Sequence, residues 1–209
     1  MRKKILILAP HTDDGEFGCG GTIAKYIEEG AEVFYAAFSA CEQSVLKDFP
    51  SDILITEVKN ATNVLGIQPA NLILYKYEVR KFNYDRQNIL EDMVKLNNEI
   101  RPDLVFMPCE NDVHQDHHTI FQEGLRAFKF TTILCYELPW NNFSLNTVSF
   151  IHLSEQQIET KIRALKEYKS QAHRSYASEE FIRALAITRG TQIGTRYAET
   201  FEVKRWIIK

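Results

Sequence analysis

The chain has 209 residues, of which 44% are hydrophobic and 25% are charged, and its formal net charge is −3. These values are ordinary for a soluble globular protein, and the length suits one α/β domain, which we expect to span residues 1–209. No basic run favours nucleic acid as a partner, and the apolar runs are far shorter than the ~20 residues of a membrane span.

From the N-terminus, short apolar runs typical of strands alternate with helical patterns. The predicted strands are Ile5–Ala9, Val33–Phe38, Leu72–Tyr75, Leu104–Met107 and Ile133–Tyr136. The predicted helices between them are Gly20–Glu29, Ser51–Leu65, Arg86–Ile100 and Asp116–Phe128. Repeated βα units with continuous apolar strands imply a mostly parallel sheet that helices cover on both faces.

After the fifth strand the pattern changes. Ser154 and Gln157 fit a capping box, which indicates the start of a helix. An antiparallel strand is predicted at Thr147–Leu153 and a final strand at Thr200–Ile208. Between them we predict two capped helices, one at Ser154–Lys169 and one from Ser178 onward. We therefore expect an α/β fold, a Rossmann-like three-layer sandwich with a mostly parallel sheet and a C-terminal α+β extension.

Two polar clusters follow apolar strands. His11-Thr12-Asp13-Asp14 comes after the first strand and His114-Gln115-Asp116-His117 after the fourth. In the simplest arrangement these two strands are neighbours where the winding direction reverses, and ligands bind at the carboxyl ends of strands at such a point. The two clusters are therefore expected to meet.

Such a meeting favours a metal site. A catalytic zinc typically takes three protein ligands from His and Asp or Glu and keeps one position open for water. His11, Asp14 and His117 would supply this set, and a set of two histidines and a carboxylate also accepts iron(II). These residues therefore predict a metal-dependent hydrolase.

The reaction also needs groups that move protons. Asp13 is the adjacent carboxylate, although its side chain can point elsewhere on a tight turn. His114 lies one helical turn before His117 and could protonate the leaving group or stabilise an oxyanion. Asp116 could orient His114 and favour its protonated form.

Simpler explanations exist for each part. Asp13-Asp14 could be a turn with a helix cap, and the histidines near residue 117 could begin a helix. The glycines of Gly18-Cys19-Gly20-Gly21 could cradle a dinucleotide, but the spacing is not GxGxxG and the neighbouring aspartates would repel a phosphate. We expect these glycines to allow close packing of a helix instead.

The remaining features are less specific. The four cysteines form no CxxC pair and are expected to be free buried thiols, which favours a cytoplasmic protein. The N-terminal apolar segment leads directly into the first polar cluster and is interpreted as a strand, not as a secretion signal. Arg189, Arg196 and Tyr197 could line a substrate rim or belong to a solvated loop, and 201–208 is compatible with a homo-oligomer interface.

Taken together, Pro10-His11-Thr12-Asp13-Asp14, Gly18-Cys19-Gly20-Gly21-Thr22 and His114-Gln115-Asp116-His117 resemble the zinc-dependent N-deacetylase family of the LmbE and PIG-L type. Members act on N-acetylglucosaminyl conjugates. The resemblance implies that His11, Asp14 and His117 bind zinc, that Asp13 is the general base, and that His114 is the electrostatic or acid partner with Asp116 behind it. Acetate and a free amine would be the products.

The chain also departs from the family pattern. Thr12 replaces the usual proline, and Gly15 stands where a glutamate follows the paired aspartates. The arginine that commonly precedes the second-helix glutamate is not clearly present near Leu54 to Glu57. These changes leave two alternatives to an N-acetyl-sugar deacetylase: a nucleotide- or sugar-binding module whose metal site has decayed, and an amidase of a larger sugar-thiol conjugate.

Overall fold

A computed structural model describes residues 2–208 of the chain. The strands are β1 (Lys4–His11), β2 (Glu32–Ser39), β3 (Leu72–Leu74), β4 (Leu104–Pro108), β5 (Thr132–Tyr136), β6 (Ser149–Leu153) and β7 (Tyr197–Arg205). The α-helices are α1 (Asp14–Glu28), α2 (Ile53–Leu65), α3 (Arg86–Ile100), α4 (Gln115–Ala127), α5 (Glu155–Leu165) and α6 (Glu179–Thr191). No helix among residues 2–208 has the length and apolar character that a membrane crossing requires.

The strands form one seven-stranded sheet in the order β3-β2-β1-β4-β5-β7-β6. The first five are parallel, and β7 pairs antiparallel with both β5 and β6. The expected α/β sandwich with a C-terminal extension is therefore confirmed, including the predicted pairing of the first and fourth strands.

Successive residues of the central strands face opposite helical layers, because side chains alternate across a sheet. Ile5 and Ile7 of β1 belong to the core cluster that includes residues of α1, α2 and α5. Leu6 and Leu8 belong to the cluster that includes residues of α3 and α4. Helices thus cover both faces of the sheet, and its strand ends remain free to carry polar residues.

Several helix boundaries differ from those predicted. The capping box at Ser154 and the cap at Ser178 are found. However, α1 begins at Asp14 instead of Gly20, with a kink at Cys19. The helix packs so closely on the sheet that only glycine fits at its start: a Cβ on Gly15 would lie 2.6 Å from the Tyr35 ring.

Candidate active site

The two polar clusters lie in one cleft of about 270 Å³. His11 is the last residue of β1, and Asp14 is the first of α1. His114 immediately precedes α4, whose first turn contains His117. Because β1 and β4 are adjacent and parallel, both clusters lie at the same edge of the sheet.

Three donor atoms form a compact triangle in this cleft. Asp14 Oδ2 lies 3.1 Å from His11 Nδ1 and 3.2 Å from His117 Nε2, and the two nitrogens are 3.2 Å apart. Around a tetrahedral zinc with bonds of about 2.0–2.2 Å, neighbouring donor atoms are about 3.3–3.6 Å apart. A slight outward movement of these three side chains would therefore fit them to a metal ion.

The electrostatics of the triangle also favour a cation. Burial by itself would lower the pKa of His117, but the charge of Asp14 and the hydrogen bonds to Asp112 and Asp14 raise that pKa to about 10. The pKa of His11 is raised for similar reasons against the same burial penalty. Burial would raise the pKa of Asp14, but both histidines hold it well below its usual range. A divalent ion would supply the positive charge that this cluster attracts.

His114 offers a second set of donors. One nitrogen from each of His11, His114 and His117 lies within 4.8 Å of the others. However, His114 caps α4, and its Nδ1 accepts a hydrogen bond of 3.2 Å from the backbone N–H of Asp116. The triangle that contains Asp14 is tighter and combines a carboxylate with two imidazoles, so it is the better fit to a catalytic metal.

Each imidazole of the triangle has a carboxylate at its far nitrogen. Asp112 Oδ2 lies 2.7 Å from His117 Nδ1, and Asp116 Oδ2 lies 3.1 Å from His11 Nε2. Such partners fix the ring orientation and the tautomer of a metal-binding histidine. Asp112 lies in an irregular segment outside the two motifs, so no feature of the sequence indicated it.

The expected contact between Asp116 and His114 is different in the structure. Only the backbone N–H of Asp116 reaches His114, because the first turn of α4 points its N–H groups toward the cap residue. The Asp116 carboxylate instead contacts His11 and accepts a hydrogen bond of 2.6 Å from the backbone N–H of Arg80. Asp116 therefore orients His11 and connects it to the loop at Arg80.

The surroundings of His114 disfavour the protonated form that the sequence suggested. Burial and the neighbouring histidines His11 and His117 lower its pKa to about 4. Because its Nδ1 accepts a hydrogen bond, the neutral ring carries its proton on Nε2. His114 is thus a neutral hydrogen-bond donor at the cleft.

Asp13 is half-buried and lines the cleft. Within residues 2–208 its carboxylate has no hydrogen-bond or ion-pair partner, although Asp13 stands at the cap position of α1. Burial and the adjacent charge of Asp14 raise its pKa to about 6. A free carboxylate of this basicity can accept a proton near neutral pH.

For the C-terminal segment, the structure favours the alternative without a substrate rim. Arg189 forms an ion pair with Glu137, and Arg196 forms one of 2.9 Å with Glu155. The buried Tyr197 directs its hydroxyl to Glu155. None of the three lines the cleft. The cleft is lined instead by side chains that no motif indicated, including Arg80, Trp140, Gln171, Arg174 and Tyr176.

The expected state of the cysteines is confirmed, since Cys19, Cys41, Cys109 and Cys135 are all free and buried. Cys41 lies at the cleft, but burial, Asp13 and Asp14 raise its pKa well above the usual range. It is therefore a neutral thiol and a poor nucleophile.

Comparison with known proteins gives consistent matches. The family model described as "PIG-L: GlcNAc-PI de-N-acetylase" matches residues 6–128. A protein of Escherichia coli K12, described as the uncharacterized deacetylase YaiS, is 31% identical over 175 residues, which cover 81% of this chain and 92% of that protein. The diacetylchitobiose deacetylase of Thermococcus kodakarensis is 24% identical over 220 residues, which cover 94% of this chain and 81% of that enzyme.

Comparison with solved structures also gives a deacetylase as a match. The structure of the N,N′-diacetylchitobiose deacetylase from Pyrococcus horikoshii superimposes with a TM-score of 0.80 at 23% identity. The match covers 96% of this chain and 83% of that one. The resemblance therefore extends beyond the motifs to the arrangement of the whole sheet and its helices.

Proposed function

Because this chain belongs to the PIG-L family, we propose that it is a metal-dependent N-deacetylase that removes acetyl from an N-acetylated sugar or sugar conjugate. The observation that carries the proposal is the triangle of buried donor atoms beside the free carboxylate of Asp13 in an open cleft. The names of the relatives, diacetylchitobiose deacetylases among them, favour a sugar as the substrate. We propose residues 1–209 as one catalytic domain.

In this proposal His11, Asp14 and His117 hold the metal, which is zinc, with iron(II) also compatible. The bound ion would polarise the amide carbonyl and lower the pKa of a water molecule toward neutrality. Asp112 and Asp116 orient the two imidazoles through their far nitrogens.

Asp13 is the general base. It takes a proton from the attacking water while the water oxygen bonds to the acetyl carbon. As the carbon–nitrogen bond breaks, the same carboxyl returns the proton to the leaving nitrogen, so that acetate and a free amine result. Its raised pKa suits both steps, because a group of intermediate basicity both accepts and releases a proton.

His114 stabilises the negative charge on the former carbonyl oxygen. Its Nδ1 is occupied by the Asp116 N–H, so Nε2–H is the donor that remains for the cleft. A preorganised donor of this kind is worth more at the oxyanion than in the bound substrate, and this difference accelerates the reaction. Neutral His114 thus acts as a hydrogen-bond donor and not as an acid.

The test combines metal content with acetate release. Untagged protein prepared without chelator should contain about one zinc or iron per chain by mass spectrometry and should release acetate from N-acetylglucosamine conjugates. Asp13→Asn should retain the metal and lose about 10²–10⁴-fold in turnover, because only the base is removed.

The alternatives predict other results. A binding module with a decayed site would take up no metal even when zinc is offered and would hydrolyse no amide. The complete set of donors, base and hydrogen-bond donor in one cleft argues against decay. An amidase of a larger sugar-thiol conjugate would bind metal but ignore simple N-acetyl sugars, so a panel of both substrate types separates the two.

A further inference from the structure

Two arginines, Arg80 and Arg174, are the basic residues other than histidine that line the candidate active-site cleft within residues 2–208. Neither has a carboxylate as an ion-pair partner in this described part of the chain. Other arginines of the described chain do form such pairs, and Arg86, Arg183 and Arg189 each contact a glutamate. The cleft therefore presents two guanidinium groups that form no ion pair with a carboxylate of the described chain.

A buried network positions Arg174. Glu57, which is 3% exposed, accepts hydrogen bonds from the backbone N–H and the hydroxyl of Ser170, at 2.9 and 2.6 Å. Ser170 Oγ accepts a hydrogen bond from Gln171 Nε2, and Gln171 Oε1 accepts one of 2.6 Å from Arg174 Nε. This contact holds the exposed Arg174 through Nε, and its guanidinium also lies 5.7 Å from the centre of the Tyr176 ring, which lines the same cleft. No carboxylate of the described residues occupies its terminal nitrogens.

Arg80 is also fixed. Its backbone has a positive φ of 69°, a conformation that non-glycine residues rarely adopt. Its N–H donates to Asp116, the carboxylate that orients His11, and a terminal nitrogen donates to Ser44 Oγ at 2.8 Å. The second cation is thus tied to the candidate metal site through the backbone.

The second helix contributes no charge of this kind. Leu54 of α2 lines the cleft and is 4% exposed. The cations of the cleft lie instead on two other segments, the loop at Arg80 and the segment at Arg174.

We propose that Arg174, assisted by Arg80, is a specificity-determining residue that binds an anionic group, a carboxylate or a phosphate, on the N-acetylated sugar. The guanidinium fork matches both anions, because it can donate two parallel hydrogen bonds. That the ligand is an N-acetylated sugar rests on the proposed deacetylase function. The preference for a negatively charged ligand follows from the two arginines and is independent of that function.

Arg174 has one competing role. Its charge also acts on Asp13, whose pKa it lowers slightly against the larger effect of burial. An arginine that only tuned the base would change turnover of charged and neutral substrates alike. An arginine that binds the substrate's anion would change affinity for the charged ones.

The experiment measures binding separately from chemistry. Isothermal titration of zinc-loaded Asp13→Asn protein compares N-acetylglucosamine with its 1-phosphate, its 6-phosphate and N-acetylmuramic acid, which carries a carboxylate. At least one anionic sugar should bind about 10–100-fold more tightly than the neutral one, as expected for hydrogen bonds to a charged group. The phosphates and the carboxylate distinguish the two anions.

Variants in the same background identify the residue. Arg174→Gln should bring the ratio of anionic to neutral affinity close to one, and Arg174→Lys should restore part of it. Arg196→Gln, which removes an exposed arginine outside the cleft, should leave the ratio unchanged. Equal affinities for all four sugars, or an equal loss for charged and neutral sugars in Arg174→Gln, would overturn the proposal.

The two proposals fail in different ways. If wild-type protein binds anionic sugars through Arg174 but releases no acetate from any of them, the deacetylase function fails and the anion site stands. If acetate is released from neutral sugars at least as efficiently as from charged ones, and the titrations show no preference, the deacetylase function stands and the anion site fails.

Discussion

Asp112 contacts His117 through the ring nitrogen that faces away from Asp14. The carboxylate is buried, and its second oxygen accepts a hydrogen bond of 2.9 Å from the backbone N–H of His114. One side chain thus positions two histidines of the site. Removal of such a partner typically costs 10–100-fold in metal affinity.

We therefore expect Asp112→Ala to bind zinc about 10–100-fold more weakly in a competition titration with a chromogenic chelator. Asp112→Asn should lose less, because its amide oxygen can still accept the hydrogen bond from the imidazole. Asp103→Ala removes a carboxylate that contacts the backbone N–H of Lys4, away from the cleft, and is the matched control. Wild-type affinity in Asp112→Ala would contradict the role.

Glu16 is a buried acid that no proposed step uses. Its carboxyl group lies between the hydroxyls of Tyr35 and Tyr168, and each hydroxyl is within hydrogen-bonding distance of one of its oxygens. Burial is the dominant influence and raises its pKa from 4.5 to about 8, although the two tyrosine hydrogen bonds oppose the shift. The folded protein therefore keeps Glu16 protonated at neutral pH.

This shift predicts a pH dependence of stability. Between pH 4.5 and about 8 the folded chain holds a proton that the unfolded chain has lost, so the contribution of Glu16 to stability falls as the pH rises through this window. Glu16→Gln is neutral at every pH. Urea unfolding at several pH values should show that the free energy of unfolding of the variant rises relative to that of the wild type from pH 5 to 8, by at most about 1.4 kcal/mol per pH unit. Parallel stability curves would contradict the prediction.

At the scale of elements, α1 depends on glycine for its position on the sheet. A Cβ on Gly18 would lie 2.3 Å from Cδ2 of Tyr136, a fully buried ring whose hydroxyl donates to the Leu8 carbonyl. A Cβ on Gly20 would lie 3.0 Å from Cγ of the buried Lys161, a milder contact than the one with the tyrosine ring. Replacement of Gly18 would therefore displace the Tyr136 ring or the helix, whereas replacement of Gly20 would press only on the Lys161 side chain.

Gly18→Ala should lower the free energy of unfolding by about 1–3 kcal/mol, because the helix or the tyrosine must move. Gly20→Ala in the same helix is the control. It should lower stability less, since its Cβ would lie 3.0 Å from a side chain instead of 2.3 Å from a ring, and the gain in helix propensity of about 1 kcal/mol offsets part of the cost. Chemical denaturation measures both. A Gly20→Ala variant that is the less stable of the two would show that the tyrosine contact does not determine the helix position.

The elements themselves follow closely from the sequence pattern. Five apolar runs predict the five parallel strands, and the caps at Ser154 and Ser178 predict two helix starts. The start of α1 is mispredicted, since glycines normally indicate a loop. Here the facing rings of Tyr35 and Tyr136 leave no room for a Cβ, so the glycines belong to a closely packed helix. Close packing between distant segments has no local signal.

The same distinction applies to the candidate site. The motifs predict five residues of the site, because each lies at the end of a strand or near a helix start: His11, Asp13, Asp14, His114 and His117. Asp112, Arg80 and Arg174 lie in irregular segments, and their roles depend on contacts that only the folded chain creates. The orientation of Asp116 could not be predicted either, because spacing does not decide which histidine a carboxylate faces.

At the scale of the whole molecule, the candidate metal site joins two parts of the chain that no covalent link brings together. His11 and Asp14 follow β1, whereas His117 belongs to the helix after β4. A metal ion would therefore bind the folded sheet and not the unfolded chain, in which these donors are dispersed. Binding of this kind stabilises the fold as a whole, by about 2.7 kcal/mol when the free ligand is at 100 times its dissociation constant.

Zinc should consequently raise the melting temperature of chelator-treated protein by about 5–10 °C, since 1 kcal/mol corresponds to about 2–4 °C in a domain of this size. His117→Ala should lose most of this shift, because one corner of the triangle is removed. His118→Ala is the matched control: this neighbouring histidine is exposed and contacts Gln122, so the shift should persist. Equal zinc shifts in the two variants, measured by differential scanning calorimetry, would mean that zinc binds elsewhere on the protein, and the assignment of His117 as a metal ligand would fail.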